Sequence, residues 1–244
     1  MMIQKIKMFV RGWHYRLHEN PNEINFIIEH SKPGDTLMDI GANKGGFLYW
    51  MIKRSNGSGK VIAFEPQKFL YTFLSGFFNG SKYPQVTIER YALSDKEATT
   101  SMIIPDNGKA SAPGASIHFT LKDLPSAKSE EVQTISLDNY CSMHNLKPAL
   151  IKIDVEGHEL TVIKGALKTL TAYRPKIIIE CEGLQVGRAA VKETFSQILS
   201  AGYKGFFYFK GSKHDIAEFN EELHQPEKFT GKKSKEYCSN FFFL

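Results

Sequence analysis

Met38-Asp39-Ile40-Gly41-Ala42-Asn43-Lys44-Gly45-Gly46 is a short apolar run that passes through a glycine-rich turn into a helical pattern. A strand that turns on glycine straight into a helix is the first half of a βαβ unit. The rhythm continues outward from it. Lys32-Pro33-Gly34 makes the preceding turn, and 35–40 reads as the strand. The following helix, 45–54, stops at Asn56-Gly57-Ser58-Gly59. Further strands are expected at 60–65, 86–92, 150–155 and 176–181, with helices at 67–79 (stopped by Asn79-Gly80), 158–170 and 191–201. In the last of these, Val191, Phe195, Ile198 and Leu199 share one face. The runs 203–209 and 239–244 would close the sheet. Short apolar strands alternating with helices predict a doubly wound α/β fold whose parallel sheet is covered on both faces. Residues 98–140 break the rhythm with Pro105, Asp106-Asn107-Gly108, Pro113-Gly114 and Pro125, between strand-like pieces at 100–104 and 132–136. They read as a β-rich insertion, and 210–236 as a polar loop. The expected organisation is a helical extension over 1–30 and a single domain over 31–244.

Composition narrows the class. At 42% hydrophobic and 23% charged, 244 residues can bury a core without disulfides. No apolar run approaches the ~20 residues that span a bilayer. The first 13 residues lack the apolar core and cleavage site of a signal peptide. Cys141, Cys181 and Cys238 form neither a metal pair nor a disulfide framework, so structural zinc is not expected and the cytoplasm is the expected compartment. A net charge of +5 from dispersed lysines is too small to argue for a nucleic-acid groove.

Two signals carry the chemistry. Gly41 permits the sharp turn, and Gly45 or Gly46 permits close approach of a ligand or the helix, with Asp39 just beneath. Glu65, in Ala63-Phe64-Glu65-Pro66, ends the second strand, where a carboxylate can accept from both ribose hydroxyls. Phe64 and Pro66 offer apolar surface to a purine. Either signal alone is often tight packing or a solvated carboxylate; in this order they read as a nucleoside site. A dinucleotide fingerprint would need glycine where Asn43 stands, and there is no phosphate-binding G-x-x-x-x-G-K motif. A cofactor with ribose and adenine but no phosphate, such as S-adenosylmethionine, fits better.

Asp39 to Gly45, Phe64-Glu65-Pro66, Ile151-Lys152-Ile153-Asp154-Val155-Glu156-Gly157-His158-Glu159 and Ile178-Ile179-Glu180 together resemble the FkbM family of methyltransferases, from about residue 35 to 181 and more weakly to 209. The resemblance implies a Rossmann-like class I methyltransferase fold with a mostly parallel seven-stranded sheet, its last strand antiparallel. It also implies O-methylation of hydroxyls on sugars or secondary metabolites with S-adenosyl-L-methionine as cofactor.

The acidic stretch after the fourth strand is the second chemical centre. Asp154, Glu156 and His158 crowd one strand end, and Glu180 ends the neighbouring strand with Glu182 beyond. Methyl transfer from a sulfonium needs placement of the acceptor and removal of its proton. His158, with an ordinary pKa of about 6.5, suits a base near neutral pH, with Glu156 and Glu180 as alternatives. Asp154 would orient the acceptor or the cofactor's amino group. The plainer reading makes Glu156 and His158 caps of the next helix. A Mg²⁺ held by Asp154 with Glu180 or Glu182 is chemically conceivable, and no metal is expected. Ala92 and Leu93, at the end of the third strand, would flank adenine or form a plain turn, Asn43 and Pro66 would also bind the cofactor, and the insertion, with His118 and Phe119, would form an acceptor lid or a plain structural extension.

Residues 1–16 mix Lys5, Lys7 and Arg11 with Ile3, Ile6, Phe9, Val10 and Trp13. Such a segment packs on its own domain or on a sister subunit more often than on a membrane, leaving a homo-oligomer open. The expected partner is a small-molecule or glycan acceptor, and no nucleic acid. The competing readings are an NAD-type or nucleotide-sugar oxidoreductase, disfavoured by Asn43, a non-catalytic nucleoside-binding module, and an RNA methyltransferase, disfavoured by the scattered charge.

Overall fold

Parallel strands buried on both faces need apolar side chains at nearly every position, and Thr36–Ile40, Lys60–Phe64 and Lys176–Glu180 meet that requirement almost throughout. The computed structural model describes residues 2–78, 80, 82–106, 114–118, 126–228 and 237–244, with side chains from Met8 onward. Asn79, Asn107, Gly108, Pro113, Phe119, Pro125 and the lysines at 232, 233 and 235 lie outside the described residues, as do the side chains of Ile3, Lys5, Ile6 and Lys7.

The chain begins with α1 (Met2–His14), a π-helical turn (Tyr15–Glu19) and α2 (Pro21–His30). Then follow β1 (Thr36–Ile40), α3 (Gly46–Ser55), β2 (Lys60–Phe64), α4 (Lys68–Phe77), β3 (Val86–Glu89), β4 (Tyr91–Ser94), β5 (Ala98–Ile104) and β6 (Lys128–Ser136). The second half holds α5 (Leu137–His144), β7 (Pro148–Ile153), α6 (Glu159–Lys164), α7 (Leu167–Tyr173), β8 (Lys176–Glu180), α8 (Gly183–Val186) and α9 (Arg188–Ser200). It closes with β9 (Gly205–Phe209), β10 (Ser212–Asp215), α10 (Glu221–His224) and β11 (Asn240–Phe243). The main sheet has the order β10-β9-β11-β8-β7-β1-β2-β3, and β4-β6-β5 form a small second sheet. β1 pairs in parallel with both β2 and β7, and β11 lies antiparallel between β8 and β9.

Period-2 alternation divides the core. Met38, Ile62, Ile151, Ile177, Phe241 and Phe243 face one layer, while Leu37, Val61, Leu150, Ile178 and Phe242 face the other. In the second layer Phe206 and Phe242 stack with centroids 5.1 Å apart. Burying side chains of this size contributes roughly 1.5–3 kcal/mol each. α1 packs on α3: the Trp50 indole N–H donates to the Gly12 carbonyl at 2.8 Å and the Arg11 guanidinium to that of Lys44 at 2.9 Å. Phe9 and Val10 stay exposed. Among the described residues no helix is long and apolar enough to cross a membrane.

Three expectations are corrected. The run 86–92 is not one strand: β3 ends at Glu89 beside β2, and after Arg90 the chain enters the second sheet as β4, parallel to β6. The backbone stays extended through the change of sheet, so the apolar run looks continuous. The helix expected over 158–170 is two helices. A Cβ on Gly165 would meet the Ser94 carbonyl oxygen at 2.0 Å, so the chain bends there. The Asp138 carboxylate accepts from the freed amides of Lys168 and Thr169. The 210–236 stretch is not all loop: Lys210 (φ 50) and Gly211 (φ 82) form a tight turn that adds β10 against β9. The main sheet therefore has eight strands, one more than the seven expected.

Gly41 (φ 77) closes the turn from β1, and a Cβ there would lie 1.8 Å from the Asp154 carbonyl oxygen. Gly57 (φ 76) has nothing within 4 Å. In urea unfolding, Gly57→Ala should cost about 1–2 kcal/mol, the left-handed penalty alone. Gly41→Ala should cost more, by at least about 2 kcal/mol beyond that. Equal losses would mean that the close backbone approach is not what holds the loop.

Candidate active site

The sheet order reverses on either side of β1, the position at which open α/β sheets receive ligands at the carboxyl ends of their strands. A cleft of about 620 Å³, counting its open mouth, lies there. Gly41, Asn43, Glu65, Pro66, Ala92, Leu93, Asp154, Glu156 and His158 line it, so nine of the residues singled out in the sequence come together. Met102 and Gly114, Ala115, Ser116 and Ile117 of the insertion complete the wall over these residues.

The loop after β1 is held by its own amides. Gly41 N–H and Ala42 N–H both donate to the Phe64 carbonyl at 3.0 Å, and Gly45 N–H donates to the Ala42 carbonyl at 2.8 Å. Asn43, itself at a left-handed φ of 48, donates its N–H to Glu65 Oε2 at 2.7 Å. Glu65 Oε1 accepts from the Gln67 amide at 2.9 Å, so the carboxylate bridges the glycine loop and the start of α4. Burial pushes the Glu65 carboxyl up to about 7, against the pull of these two amides.

Around Asp154 the chain makes a tight turn. Glu156 is held at a left-handed φ of 53, an uncommon state for a glutamate. Its Oε1 accepts from the Gly114 amide and its Oε2 from the Gln185 side-chain amide, each at 2.9 Å. One carboxylate thus ties the insertion and α8 to the cleft. Burial, then the neighbouring Asp154, raises its pKa. Glu159 accepts from the Val155 and Gly157 amides and caps the turn from below. His158 stands at the N-cap of α6 but its side chain makes no capping hydrogen bond, and both Glu156 and His158 line the cleft. The His158 Nε2 lies 3.0 Å from Ser94 Oγ. Burial, then His118, brings the imidazole down to about 4. Ser94 has one hydroxyl proton and donates it to Asp95 Oδ1 at 3.3 Å. The Ser94 hydroxyl therefore lies within reach of both the imidazole and the Asp95 carboxylate.

Three expected residues sit elsewhere. Asp39 is fully buried beneath the loop. Gly45 faces away from the cleft: a Cβ there would meet Leu74 at 3.0 Å and Met8 at 3.5 Å, so its role is to let the N-terminal segment and α4 approach. Glu180 lines a separate cleft. Among the described residues no group of three or more His, Cys, Asp or Glu has metal-holding geometry.

The residue that sequence reasoning passed over is Lys152. It is a lysine in the middle of the apolar strand Pro148–Ile153, which is itself the signal. Its Nζ lies 2.9 Å from the Gly41 carbonyl oxygen, 3.4 Å from Asp39 Oδ1 and 3.3 Å from Asp154 Oδ2. It also sits 5.0 Å from the centre of the Phe47 ring. Burial is the largest influence and works against the charge, yet Asp154, Asp39 and Glu180 carry the ammonium's pKa above that of an ordinary lysine. Tyr15 was missed as well. Its ring lies against Gly46 and meets Phe47 edge-on at 5.6 Å.

The Methyltransferase FkbM domain, as a family profile, matches residues 39–205. The hexuronic acid methyltransferase AglP of Haloferax volcanii is 30% identical over 174 residues, covering 68% of this chain and 64% of that protein. The crystal structure of methyltransferase FkbM from Methylobacillus flagellatus KT superposes with a TM-score of 0.55 at 15% identity, covering 91% of this chain and 50% of that one. The chain spans just under two thirds of the first relative's length and half of the second's.

Lys152→Met should lower the unfolding free energy by about 3–5 kcal/mol, because it leaves buried Asp39 without its counter-charge. Urea denaturation at pH 7 reads this out. A loss under 1 kcal/mol would mean that the ion pair is not what holds the loop over β7.

Proposed function

This chain belongs to the FkbM methyltransferase family, and we propose that it transfers the methyl group of S-adenosyl-L-methionine to a hydroxyl of a sugar, glycan or secondary metabolite. In the same reading residues 1–30 are a helical extension and 31–244 one methyltransferase domain with 98–140 inserted. The observation that carries the proposal is where the loop amides point. Gly41, Ala42, Asn43 and Gly45 all spend their N–H groups on the end of β2 or on the loop itself. A dinucleotide site needs such amides turned outward to a pyrophosphate. A nucleoside without phosphate asks nothing of them.

The donor set fits that nucleoside. Glu65 has acceptor capacity left for the ribose hydroxyls beyond its two amide bonds, and Phe64, Pro66, Ala92 and Leu93 offer the apolar wall that adenine needs. When bound, the sulfonium supplies an activated methyl carbon: the new O–C bond forms as the C–S bond breaks, a neutral thioether leaves, and the hydroxyl proton must go elsewhere. Asp154, steadied by Lys152, stands at the cleft edge to hold the acceptor hydroxyl. His158, which lines the same cleft, takes the proton as the methyl moves, although burial makes it a weaker base than a free imidazole. The similarity to a protein named for a hexuronic acid supports a sugar as the acceptor class.

The test is calorimetric titration with S-adenosylhomocysteine, with NAD as control, on the wild type and on Glu65→Ala. Micromolar-range binding of the thioether is expected, with none of NAD. Loss of the charged hydrogen bonds should weaken binding in the variant roughly ten- to hundredfold. The sign of the pH effect follows from Glu65. Its carboxyl titrates at about 7 when free, and ribose hydroxyls donate best to the ionised form. Binding should therefore release about half a proton at pH 7 and weaken as pH falls below 7. Binding of NAD in place of the thioether would overturn the proposal.

A further inference from the structure

Packing on its own domain uses one side of the first helix. Met8 and Gly12 are buried, Gly12 lies against the Tyr49 ring, and its carbonyl takes the Trp50 indole N–H. The other side carries Phe9, Val10 and Leu17, which are 51%, 57% and 60% exposed. At an advance of about 100° per residue these three fall within about 100° of one another, on one face of α1 and its π-helical continuation. No other stretch of nine described residues exposes three large apolar side chains. Scattered single apolar side chains need no explanation, whereas a cluster on one face marks an interaction site.

The rim of this face is cationic and aromatic. The Arg16 guanidinium lies 4.8 Å from the centre of the Trp50 ring. The Lys53 ammonium lies 5.3 Å from the same ring and 5.6 Å from that of Tyr49. Neither cation has a carboxylate partner among the described residues. The sequence repeats the bias. Residues 1–18 hold Lys5, Lys7, Arg11 and Arg16, and residues 40–55, which include α3, hold Lys44, Lys53 and Arg54. Neither stretch contains an aspartate or glutamate. These seven cations exceed the net charge of +5, so the rest of the chain is net acidic.

The occupant has to bury aliphatic side chains and supply negative charge around them. A second copy docked by this face about a two-fold axis would set Arg16 and Lys53 against their own counterparts. A nucleic acid supplies phosphates but no apolar layer for Val10 and Leu17. A bilayer containing anionic lipid supplies both, and tryptophan, tyrosine, lysine and arginine are the side chains that suit its headgroup level. We propose that the outer face of α1 and the π-helical turn lies on an anionic membrane surface. Phe9, Val10 and Leu17 enter the boundary between headgroups and acyl chains, and Arg16 and Lys53 meet the headgroups. The helix lies on the bilayer and does not cross it, in keeping with its length. This surface is independent of the methyl-donor reading.

The experiment is co-sedimentation of the full chain with vesicles of phosphatidylcholine alone or mixed with phosphatidylserine. Binding to the mixed vesicles should be at least about tenfold stronger and should weaken as salt is raised. Val10→Gln and Leu17→Gln should each weaken it roughly tenfold, because each removes an apolar side chain from the boundary. Lys53→Gln should weaken it about fivefold, the effect of one surface cation. An unchanged thermal midpoint reports that each variant is folded. The chain's two tryptophans, Trp13 and Trp50, sit at this face, so their emission should change with the mixed vesicles and not with the neutral ones. Equal binding to both vesicles, binding to neither, or binding to the mixed vesicles unaltered in both glutamine variants of the apolar residues would overturn the proposal. Dimerisation that Val10→Gln and Leu17→Gln abolish, with vesicles left unbound, would assign the face to a second copy and overturn it as well.

Discussion

The buried ammonium of Lys152 ties together the parts that make the cleft. β1 and β7 pair so that Asp39 stands directly opposite Lys152. The lysine reaches up past that partner to the Gly41 carbonyl and sideways to Asp154. The glycine loop, the strand beneath it and the carboxylate at the cleft edge therefore share one cation. A buried charge is weak evidence for stability, because desolvation offsets much of the attraction. Its value here is positional. The loop carbonyl and the Asp154 oxygen can take only those places from which both meet one ammonium, and the Phe47 ring covers it from the α3 side. Placement of this kind is what methyl transfer asks of a protein.

Much of this was legible in the sequence where local chemistry and fold coincide. The strand–glycine–helix turn and the strand-end Glu65 report directly on backbone geometry, and both landed in the cleft. Asp39 and Gly45 lie outside that cleft because alternation in a strand sends neighbours to opposite sides and a helix start turns one glycine inward to its own packing. Asp39 thus points under the sheet edge to Lys152, and Gly45 toward Leu74 and Met8. Lys152 was hidden because a single charge in an apolar strand reads as noise until its two carboxylates, 113 and two positions away, are seen beside it. The strand break at Arg90 was hidden for a different reason. Arg90 pairs with Glu130, whose carboxylate also accepts from the Lys68 amide, and contacts 40 and 62 residues apart leave no local pattern.

The active-site cleft and the cleft at Glu180 differ in how they are made. The first is formed by loops that leave the central strands, and its wall from the insertion is pinned by the strained Glu156. Strain held at such a position by two hydrogen bonds is a common property of sites where geometry has to be exact to a fraction of an ångström. The second is formed where the N-terminal helices meet the C-terminal strand. The N-terminal segment also reaches the first cleft's loop, because Arg11 donates to the Lys44 carbonyl and Tyr15 lies against Gly46.

The π-helical turn at Tyr15–Glu19 sets a phase. Asn20 N–H donates to the Tyr15 carbonyl five residues back, one more than an α-helix spans. Each residue of an α-helix advances the chain by about 100°. Removing one residue from this turn would restore regular winding and roll α1 about 100° relative to α2. Trp13 would leave Trp50 and Arg11 would leave the Lys44 carbonyl, while Glu23 stayed where it is. The extra residue thus indexes the first helix to the body of the molecule like a tooth on a gear, and length changes just upstream of the second cleft would be tolerated only in steps that return the helix to the same face.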